Sequence, residues 1–431
     1  MIWTPVVRRD GRFLLCLAAW VLLALCVGRA YAQPGLAGSL FAASRPAVAQ
    51  VRVIDTASGD KAAIGSGFQI SADGLVATNF HVVAEAAHEP TRYRLEYLGD
   101  KGVAVTLRLL DVDVVHDLAL LRADTPLPGV LQPAGGELAQ GERIFSMGNP
   151  LDLAMTIIEG TYNGFVEGAR YRKILFSGSL NPGMSGGPAL NQHGEVVGIN
   201  VARGGEQISF LVPVTYLEAL RKKALDPARA GKGMAARITE ALLADQDAYF
   251  GALLSAPWNS QPLGNFRVPG SLGPSVQCWG GSDEIDEELF AHIGQECGSE
   301  DIVFVGEDLE TGGLRYSFHA YSSEELGTLR FYSLLDSQYA HSDWFAAADD
   351  SQVGNFDCRE DFLVSQGIDW RISVCARRYT ELPGLFDMSV AMATTSLPRE
   401  GLVVNLALNG ISEPRAREFL RHFVESISWV P

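Results

Sequence analysis

Short runs of apolar residues, most of them alternating with polar ones, dominate the chain between residues 47 and 213. Gly, Asp and Asn residues typical of turns separate successive runs. Many short strands joined by such turns predict an all-β double β-barrel domain over residues 36–222. The predicted strands span residues 48–54, 64–70, 74–78, 93–97, 103–110, 118–122, 143–148, 155–162, 173–177, 196–201 and 208–212, with a short helical turn at 82–87.

The pattern changes after the predicted barrels. Helical spacing over 216–224 and 235–254, followed by a stretch rich in Pro and Gly at 257–274, predicts a helical segment and linker over residues 223–269. Residues 270–431 then predict a separate α+β domain, with an antiparallel sheet flanked by helices. Its predicted strands span 302–305, 314–320, 327–335, 370–377, 385–393 and 402–408, and its helices span 284–293 and 413–427.

The first 32 residues carry the pattern of an export signal. Three arginines precede an apolar run over 13–27, and Ala30-Tyr31-Ala32 supplies the small residues that cleavage before Gln33 requires. The run is short for a membrane span, which makes an uncleaved anchor the less favoured alternative. We expect a cleaved signal peptide over residues 1–32 and a periplasmic or secreted product.

Charge and cysteine content narrow the class of protein further. The chain carries 34 basic and 51 acidic residues; four Arg and one Asp lie within residues 1–32, which leaves 30 and 50, a net charge of −20. This balance argues against binding nucleic acid or anionic membranes. Four cysteines remain, and an even number in an exported chain predicts two disulfides rather than four buried thiols. Of the three connectivities we favour Cys278–Cys297 and Cys358–Cys375, which close the shortest loops.

Three residue types needed for acyl transfer occur in the order His81, Asp117, Ser185, separated by 36 and 68 residues. A serine hydroxyl needs an imidazole to take its proton, and a carboxylate orients the imidazole. Gly183 permits a backbone turn in which its N–H and that of Ser185 point into one oxyanion pocket. We therefore predict that His81, Asp117 and Ser185 are catalytic and that Gly183 and Ser185 form the oxyanion hole.

Other interpretations of these residues are weaker. The Gly-x-Ser-x-Gly around Ser185 also occurs at the nucleophile elbow of α/β-hydrolases, but that elbow needs a helix after the serine. Here the following residues predict strand, turn and strand, with the turn at Gln192-His193-Gly194. His116 is the nearest rival to His81, but no motif supplies it with a partner. The remaining histidines lack metal-ligand spacing.

Five segments occur in a fixed order around the candidate residues: 65–68, 78–83, 117–121, 181–188 and 197–200. Together they resemble the trypsin-like (chymotrypsin-fold) serine peptidases, most closely the HtrA/Deg-type branch, and residues 208–213 are similar to that family's closing strand. The resemblance covers about residues 40–220. It implies an active site in the cleft between two barrels. Met184 stands where the family usually has Asn or Asp, and no PDZ module is recognisable.

The resemblance also implies where a substrate side chain would bind. Ser179, six residues before Ser185, would lie uncharged at the base of the pocket for the side chain preceding the scissile bond. Leu180 would line and narrow the wall, which predicts a preference for small or medium aliphatic side chains. Arg203 follows the strand that borders the pocket, and its long stem is expected to reach solvent. If it points inward, acidic side chains would be favoured instead.

These observations lead to one functional hypothesis and one alternative. The hypothesis is an exported serine endopeptidase that acts on protein or peptide substrates without a metal or organic cofactor. We expect no nucleic-acid partner and no stable membrane insertion. The alternative is a non-proteolytic binding or chaperone-like protein on a peptidase scaffold, because a fold alone does not guarantee chemistry.

Overall fold

The predicted double β-barrel is present in the computed structural model of the protein. The structure describes residues 35–98, 102–136, 138–205, 207–229, 231–283, 289–299, 301–341, 348–349 and 351–430. The predicted signal peptide, residues 1–32, lies outside them. No described helix combines the length and the apolar character that crossing a bilayer requires.

Six antiparallel strands form the first closed barrel, in the order β1-β2-β3-β6-β5-β4. Pairing of β1 with β4 closes it. Alternate side chains point inward, and Val51, Val53, Leu95 and Leu121 are buried in one cluster. The strands are β1 (Val48–Asp55), β2 (Lys61–Gln69), β3 (Leu75–Thr78), β4 (Tyr93–Leu98), β5 (Ala104–Asp113) and β6 (Leu118–Ala123).

The second closed barrel has the strand order β10-β11-β12-β9-β8-β7, closed by pairing of β10 with β7. A cluster that includes Phe68 and Leu120 of the first barrel and Phe145 and Leu190 of the second packs the two together. The cleft between the barrels is therefore fixed by buried apolar contact. The strands are β7 (Arg143–Gly148), β8 (Thr156–Phe165), β9 (Ile174–Phe176), β10 (Pro188–Leu190), β11 (Val196–Gly205) and β12 (Ile208–Pro213).

A seven-stranded antiparallel sheet forms the centre of the C-terminal region, with the order β15-β16-β19-β23-β22-β21-β20. A three-stranded sheet, β13-β14-β24, and a two-stranded hairpin, β17-β18, accompany it. The strands are β13 (Ser260–Leu263), β14 (Phe266–Pro269), β15 (Val276–Asp283), β16 (Ala291–Ser299), β17 (Val303–Gly306), β18 (Leu309–Thr311), β19 (Leu314–Ser322), β20 (Asp357–Ser365), β21 (Ile368–Arg378), β22 (Phe386–Thr394), β23 (Glu400–Ile411) and β24 (Ser428–Trp429).

Six α-helices lie in the described part of the chain, and those expected near 82–87, 216–224, 235–254 and 413–427 are confirmed. In the last of them Ala416, Phe419 and Phe423 follow helical spacing and are buried. The helices are α1 (Leu36–Ser44), α2 (Phe80–His88), α3 (Val214–Ala224), α4 (Met234–Ser255), α5 (Thr328–Gln338) and α6 (Glu413–Glu425).

The C-terminal region is packed onto the first barrel. Leu242, Val303 and Val305 belong to the same hydrophobic cluster as the barrel interior. The carboxylate of Asp111, fully buried in the barrel wall, accepts hydrogen bonds from Arg229 at 3.1 Å and from Arg237 at 3.4 Å. A buried carboxylate needs such partners, so the segment before α4 and α4 itself are tied to the barrel.

One strand predicted in the C-terminal region is wrong, and the described end of one predicted helix is a strand. Residues 328–338 form helix α5 rather than a strand, because Phe331 and Leu335, four residues apart, are the side chains buried on one face. Of the helix predicted over 284–293, residues 284–288 lie outside the described residues, and 291–293 begin β16, where pairing with β15 and β19 overrides local helical preference. The predicted linker contains a tight hairpin, β13–β14, with its turn at Gly264-Asn265.

Candidate active site

His81 and Asp117 meet at the edge of the cleft. His81 lies in the first turn of α2, and Asp117 lies in the turn before β6 with φ 54°, a left-handed conformation that Asp tolerates. The Asp117 carboxylate accepts a hydrogen bond from the His81 backbone N–H at 2.8 Å and lies 2.6 Å from His81 Nδ1. Asn79 Nδ2 donates to the Asp117 carbonyl oxygen at 2.7 Å. This geometry leaves Nε2 of His81 to face the reacting group.

The charges around His81 favour its protonated form. Burial alone lowers the pKa of the imidazole, but the charge and hydrogen bond of Asp117 and the charge of Glu85 together raise the pKa of His81 above its ordinary value. Glu85 lies one helical turn after His81 on α2. Burial raises the pKa of Glu85, and the nearby charge of Glu307 raises it further.

Ser185 lies in a tight loop from the second barrel. Gly183 and Gly186 have φ of 91° and 82°, where a side chain would be strained, and a Cβ at Gly183 would come within 2.5 Å of the Asn149 carbonyl oxygen. The Ser185 carbonyl oxygen accepts from the Ser66 backbone N–H at 2.7 Å, which ties the loop to β2 of the first barrel. The serine is thereby brought to the side of the cleft that holds His81.

Two backbone donors in this loop are free for a ligand. In the described part of the chain, the N–H groups of Gly183 and Ser185 donate to no protein acceptor. The Ser185 hydroxyl donates to the Val201 carbonyl oxygen at 3.3 Å, not to His81. Catalytic hydrogen bonds are often misaligned before substrate binds, and rotation of this small side chain redirects the hydroxyl.

Two residues of the matching segments 65–68 and 197–200, to which the sequence analysis gave no role, hold the loop in place. The side-chain amide of Asn200, fully buried in β11, donates to the carbonyl oxygens of Met147 and Met184 at 3.0 and 3.1 Å. The Ser66 hydroxyl donates to the Gly183 carbonyl oxygen at 2.8 Å and so turns that peptide unit. The sequence feature that could have identified Asn200 is its position as a polar residue within an otherwise apolar strand pattern.

Comparison with known proteins identifies the barrels. Residues 65–199 match the family model described as a trypsin-like peptidase domain. The double barrel is a trypsin-like peptidase domain. Among curated relatives, "Serine protease HTRA1A" of Danio rerio is 33% identical over 40% of this chain and 36% of the relative. "Serine protease HTRA2, mitochondrial" of Bos taurus is 37% identical over 35% of this chain and 33% of the relative.

Each of these similarities covers less than half of the chain. The chain spans about a third of the length of these curated relatives. A solved structure, "Crystal structure of the serine endoprotease from Yersinia pestis", aligns over 46% of this chain and 69% of that chain, with a TM-score of 0.40 and 26% identity.

The residues predicted for the substrate pocket of the peptidase domain are placed as follows. Ser179 is exposed, whereas Leu180 is buried in the second-barrel cluster that also contains Met184. The aliphatic pocket therefore stays a prediction. Arg203 lies in β11, where its backbone pairs with Ser209, and its side chain is outside what the structure describes.

His116, the rival base, is a structural residue of the peptidase domain. Its Nδ1 lies 2.8 Å from the Asp113 carboxylate, and its ring stacks on Tyr216 with centroids 3.7 Å apart. Met184, the departure from the resembled motif, is fully buried and contributes packing to the barrel. Neither side chain contacts the His81–Asp117 pair through a hydrogen bond.

The four cysteines pair in the C-terminal region as the sequence predicted. Cys278 is bonded to Cys297, and Cys358 to Cys375, with Cα atoms 4.1 and 3.9 Å apart. Each pair joins directly opposed residues of adjacent strands, β15 with β16 and β20 with β21. The disulfides therefore stabilise the two edges of the seven-stranded sheet and lie outside the peptidase domain.

Proposed function

We propose that the chain is a serine endopeptidase that hydrolyses peptide bonds through an acyl-enzyme on Ser185. The observation that carries the proposal is the double contact of Asp117 with the backbone and ring of His81, beside a serine loop with two free backbone N–H donors. Similarity to serine proteases of the HtrA group supports the same activity.

The chemistry follows from these positions. Ser185 Oγ attacks the carbonyl carbon of the scissile bond as its proton passes to His81 Nε2. The N–H groups of Gly183 and Ser185 stabilise the negative charge on the oxygen, and each such donor contributes about 2.7–4 kcal/mol of transition-state stabilisation. Collapse breaks the C–N bond, and His81 returns its proton to the leaving amine. Water then repeats the sequence and releases the acid.

Asp117 has a supporting role in this mechanism. Its contact with Nδ1 fixes the tautomer in which Nε2 accepts the serine proton, and its charge stabilises the imidazolium that forms. No step needs a metal or an organic cofactor. The proposed substrates are proteins or peptides, since the site has the groups for acyl transfer at an amide.

The proposal includes export of the protein. The arginine-flanked apolar run before Gln33 supports a cleaved signal, and two disulfides suit an oxidising compartment such as the periplasm or the cell exterior. Intact mass of the protein recovered outside the cytoplasm tests this, because cleavage before Gln33 predicts a chain of residues 33–431.

Casein hydrolysis by the purified full-length mature protein tests the activity. Wild-type protein is expected to release peptides, and Ser185→Ala is expected to retain the fold and lose activity. The double variant Ser185→Ala, His81→Ala should lose little more casein hydrolysis than either single variant, because the two residues act as a unit. Casein binding without hydrolysis by folded wild-type protein would favour the binding or chaperone-like alternative.

A further inference from the structure

A hairpin from the C-terminal region is fixed to both barrels of the peptidase domain. It comprises residues 301–312, named here the cleft hairpin, and contains β17 and β18. At its start the Asp301 carboxylate accepts from the Arg170 backbone N–H at 2.5 Å and from Lys173 Nζ at 2.6 Å, both on the second barrel. His88 Nε2 on α2 of the first barrel lies 2.7 Å from the Val305 carbonyl oxygen. The hairpin thus spans the cleft that holds the triad.

The side chains of β17 contact both the core of the first barrel and the candidate catalytic histidine. Val303 and Val305 are buried in the first-barrel cluster. Phe304, between them, is half-buried, and its ring meets the His81 ring edge to face with centroids 6.1 Å apart. Ile302, directly before β17, is 46% exposed and lines the same pocket as Phe304. An apolar edge of the C-terminal region therefore lies directly beside the candidate catalytic histidine.

A pocket of about 180 Å³ lies between this edge and the peptidase domain. Its lining includes Asp117, Val201 and Phe210 from the barrels and Ile302 and Phe304 from the cleft hairpin. The pocket adjoins the triad, because Asp117 holds His81 and the Val201 carbonyl oxygen accepts from Ser185. Sites for whole small molecules occupy roughly 300–1,000 Å³, so this one has the size for a single side chain.

The charged residues at the rim of the pocket are already engaged. Lys173 pairs with Asp301, and the Arg172 guanidinium lies over the Phe165 ring at 3.8 Å. The surface left for a ligand is mainly apolar. The cleft hairpin borders the active site without filling it, because 30% of the His81 side chain remains exposed.

We propose that Phe304 and Ile302 form one wall of a subsite that binds an apolar substrate side chain next to the scissile bond. The C-terminal region then helps to select the substrates of the peptidase domain. The inference rests on the proposed peptidase function. Its physical basis is contact with an apolar side chain, and each methylene placed in such a pocket changes discrimination by about 10–200-fold.

The test compares peptide pairs in which Leu is replaced by Ala at one position around the scissile bond at a time. Phe304→Ala is expected to lower kcat/KM for the best Leu peptide by about tenfold or more and to reduce the Leu-to-Ala ratio at one position. Ile302→Ala, at an exposed position that leaves folding intact, should reduce the same ratio. The matched control is Phe362→Ala, an exposed phenylalanine of β20, which should change neither quantity.

A small fluorophosphonate separates the subsite from the chemistry. The reagent has no side chain for the subsite, so any change in its rate of reaction with Ser185 in Phe304→Ala measures the effect of the lost ring contact on His81, and the Leu-to-Ala ratio reports the subsite. An unchanged Leu-to-Ala ratio in both hairpin variants would overturn the inference. A uniform increase in the hydrolysis of every peptide and in the labelling rate of Phe304→Ala would also overturn the inference, because the hairpin would then obstruct access to the active site without selecting substrates.

Binding keeps the inference testable even if wild-type protein hydrolyses nothing. Fluorescence anisotropy of labelled Leu and Ala peptides is measured with Ser185→Ala, alone and combined with Phe304→Ala. Tighter binding of the Leu peptide that disappears with Phe304→Ala supports the subsite independently of catalysis. Equal binding of the two peptides by Ser185→Ala overturns it.

Discussion

Asn200 Nδ2 donates a hydrogen bond to the carbonyl oxygen of Met184, at 3.1 Å, and Met184 directly precedes Ser185, the proposed nucleophile. The same amide group donates to Met147, and the Asn200 side-chain oxygen accepts from the Ser146 hydroxyl at 2.7 Å. One buried side chain therefore joins strands β7 and β11 to the serine loop. We expect the shape of the proposed oxyanion pocket to depend on this residue.

Asn200→Ala is expected to remove the amide donor from the Met147 and Met184 carbonyl oxygens, the second of which keeps the Gly187 N–H at 3.1 Å, and to leave the buried Ser146 hydroxyl without its acceptor. Each unsatisfied buried group costs about 1–3 kcal/mol, so the free energy of unfolding should fall by at least that amount. The value of kcat should fall as well, because the loop loses its alignment. Urea unfolding and peptide kinetics measure both effects. Asn265→Ala, in an exposed turn, is the control, and equal stability of the two variants would contradict the assigned role.

The charge of Glu85 is expected to contribute, after the larger effect of Asp117, to the position of the acid limb of the pH–rate profile. His81 acts as a base only when neutral, so a raised pKa moves the rise in kcat/KM to higher pH. Glu85→Gln removes a negative charge that stabilises the imidazolium, which lowers the pKa of His81. The acid limb should therefore shift to lower pH. The shift is expected only at pH values where Glu85 is ionised in the wild type.

Glu89→Gln is the matched control for this shift. Glu89 lies one turn further from His81 and is exposed, so its charge is screened by water. Its replacement should leave the acid limb in place. An identical profile for wild type and Glu85→Gln would show that this carboxylate has no influence on the base.

The two disulfides are expected to contribute to stability but not to the chemistry. They close loops with sequence separations of 19 and 17 residues, and a loop of about this length stabilises by about 3 kcal/mol in the chain-entropy model. Reduction should lower the melting temperature without blocking labelling of Ser185 at low temperature. Thiol titration of the denatured mature protein should find no free thiol before reduction and four after it. Free thiols before reduction would contradict the pairing.

Cleavage specificity is expected to follow small or medium aliphatic side chains before the scissile bond, because Ser179 adds no charge to the predicted pocket. Ser179→Asp should add preference for Lys and Arg, whereas Ser179→Asn, similar in size but uncharged, should not. Profiling with a proteome-derived peptide library measures this. Dominant cutting after Arg or Lys by wild type would refute the pocket, and cutting after Asp or Glu would implicate Arg203.

Much of the peptidase domain could be read from local sequence. Its strands follow a period of two, and His81, Asp117 and Ser185 each lie in a short motif whose residue types the chemistry requires. The secondary structure of the C-terminal region was harder to predict from the sequence. Phe331 and Leu335 have helical spacing within a segment that also suits a strand, and polar residues such as His292 in β16 give no apolar alternation.

The contacts that connect the two regions could not be read from sequence. Phe304 lies beside His81 although 223 residues separate them in the chain. Such a contact depends on how the hairpin docks across both barrels, and neither residue carries a local pattern that names the other. The hydrogen bonds of the Asn200 amide could not be predicted either, since only packing decides which carbonyl oxygens face that amide.

Covalent labelling of the full-length mature protein tests the central claim most directly. A fluorophosphonate should add one phosphonyl group per chain, and peptide mapping should locate it on Ser185. Ser185→Ala, folded to the same melting temperature, should take up none, and His81→Ala should react far more slowly. Folded wild-type protein that remains unlabelled, or label located on a residue other than Ser185, would contradict the account.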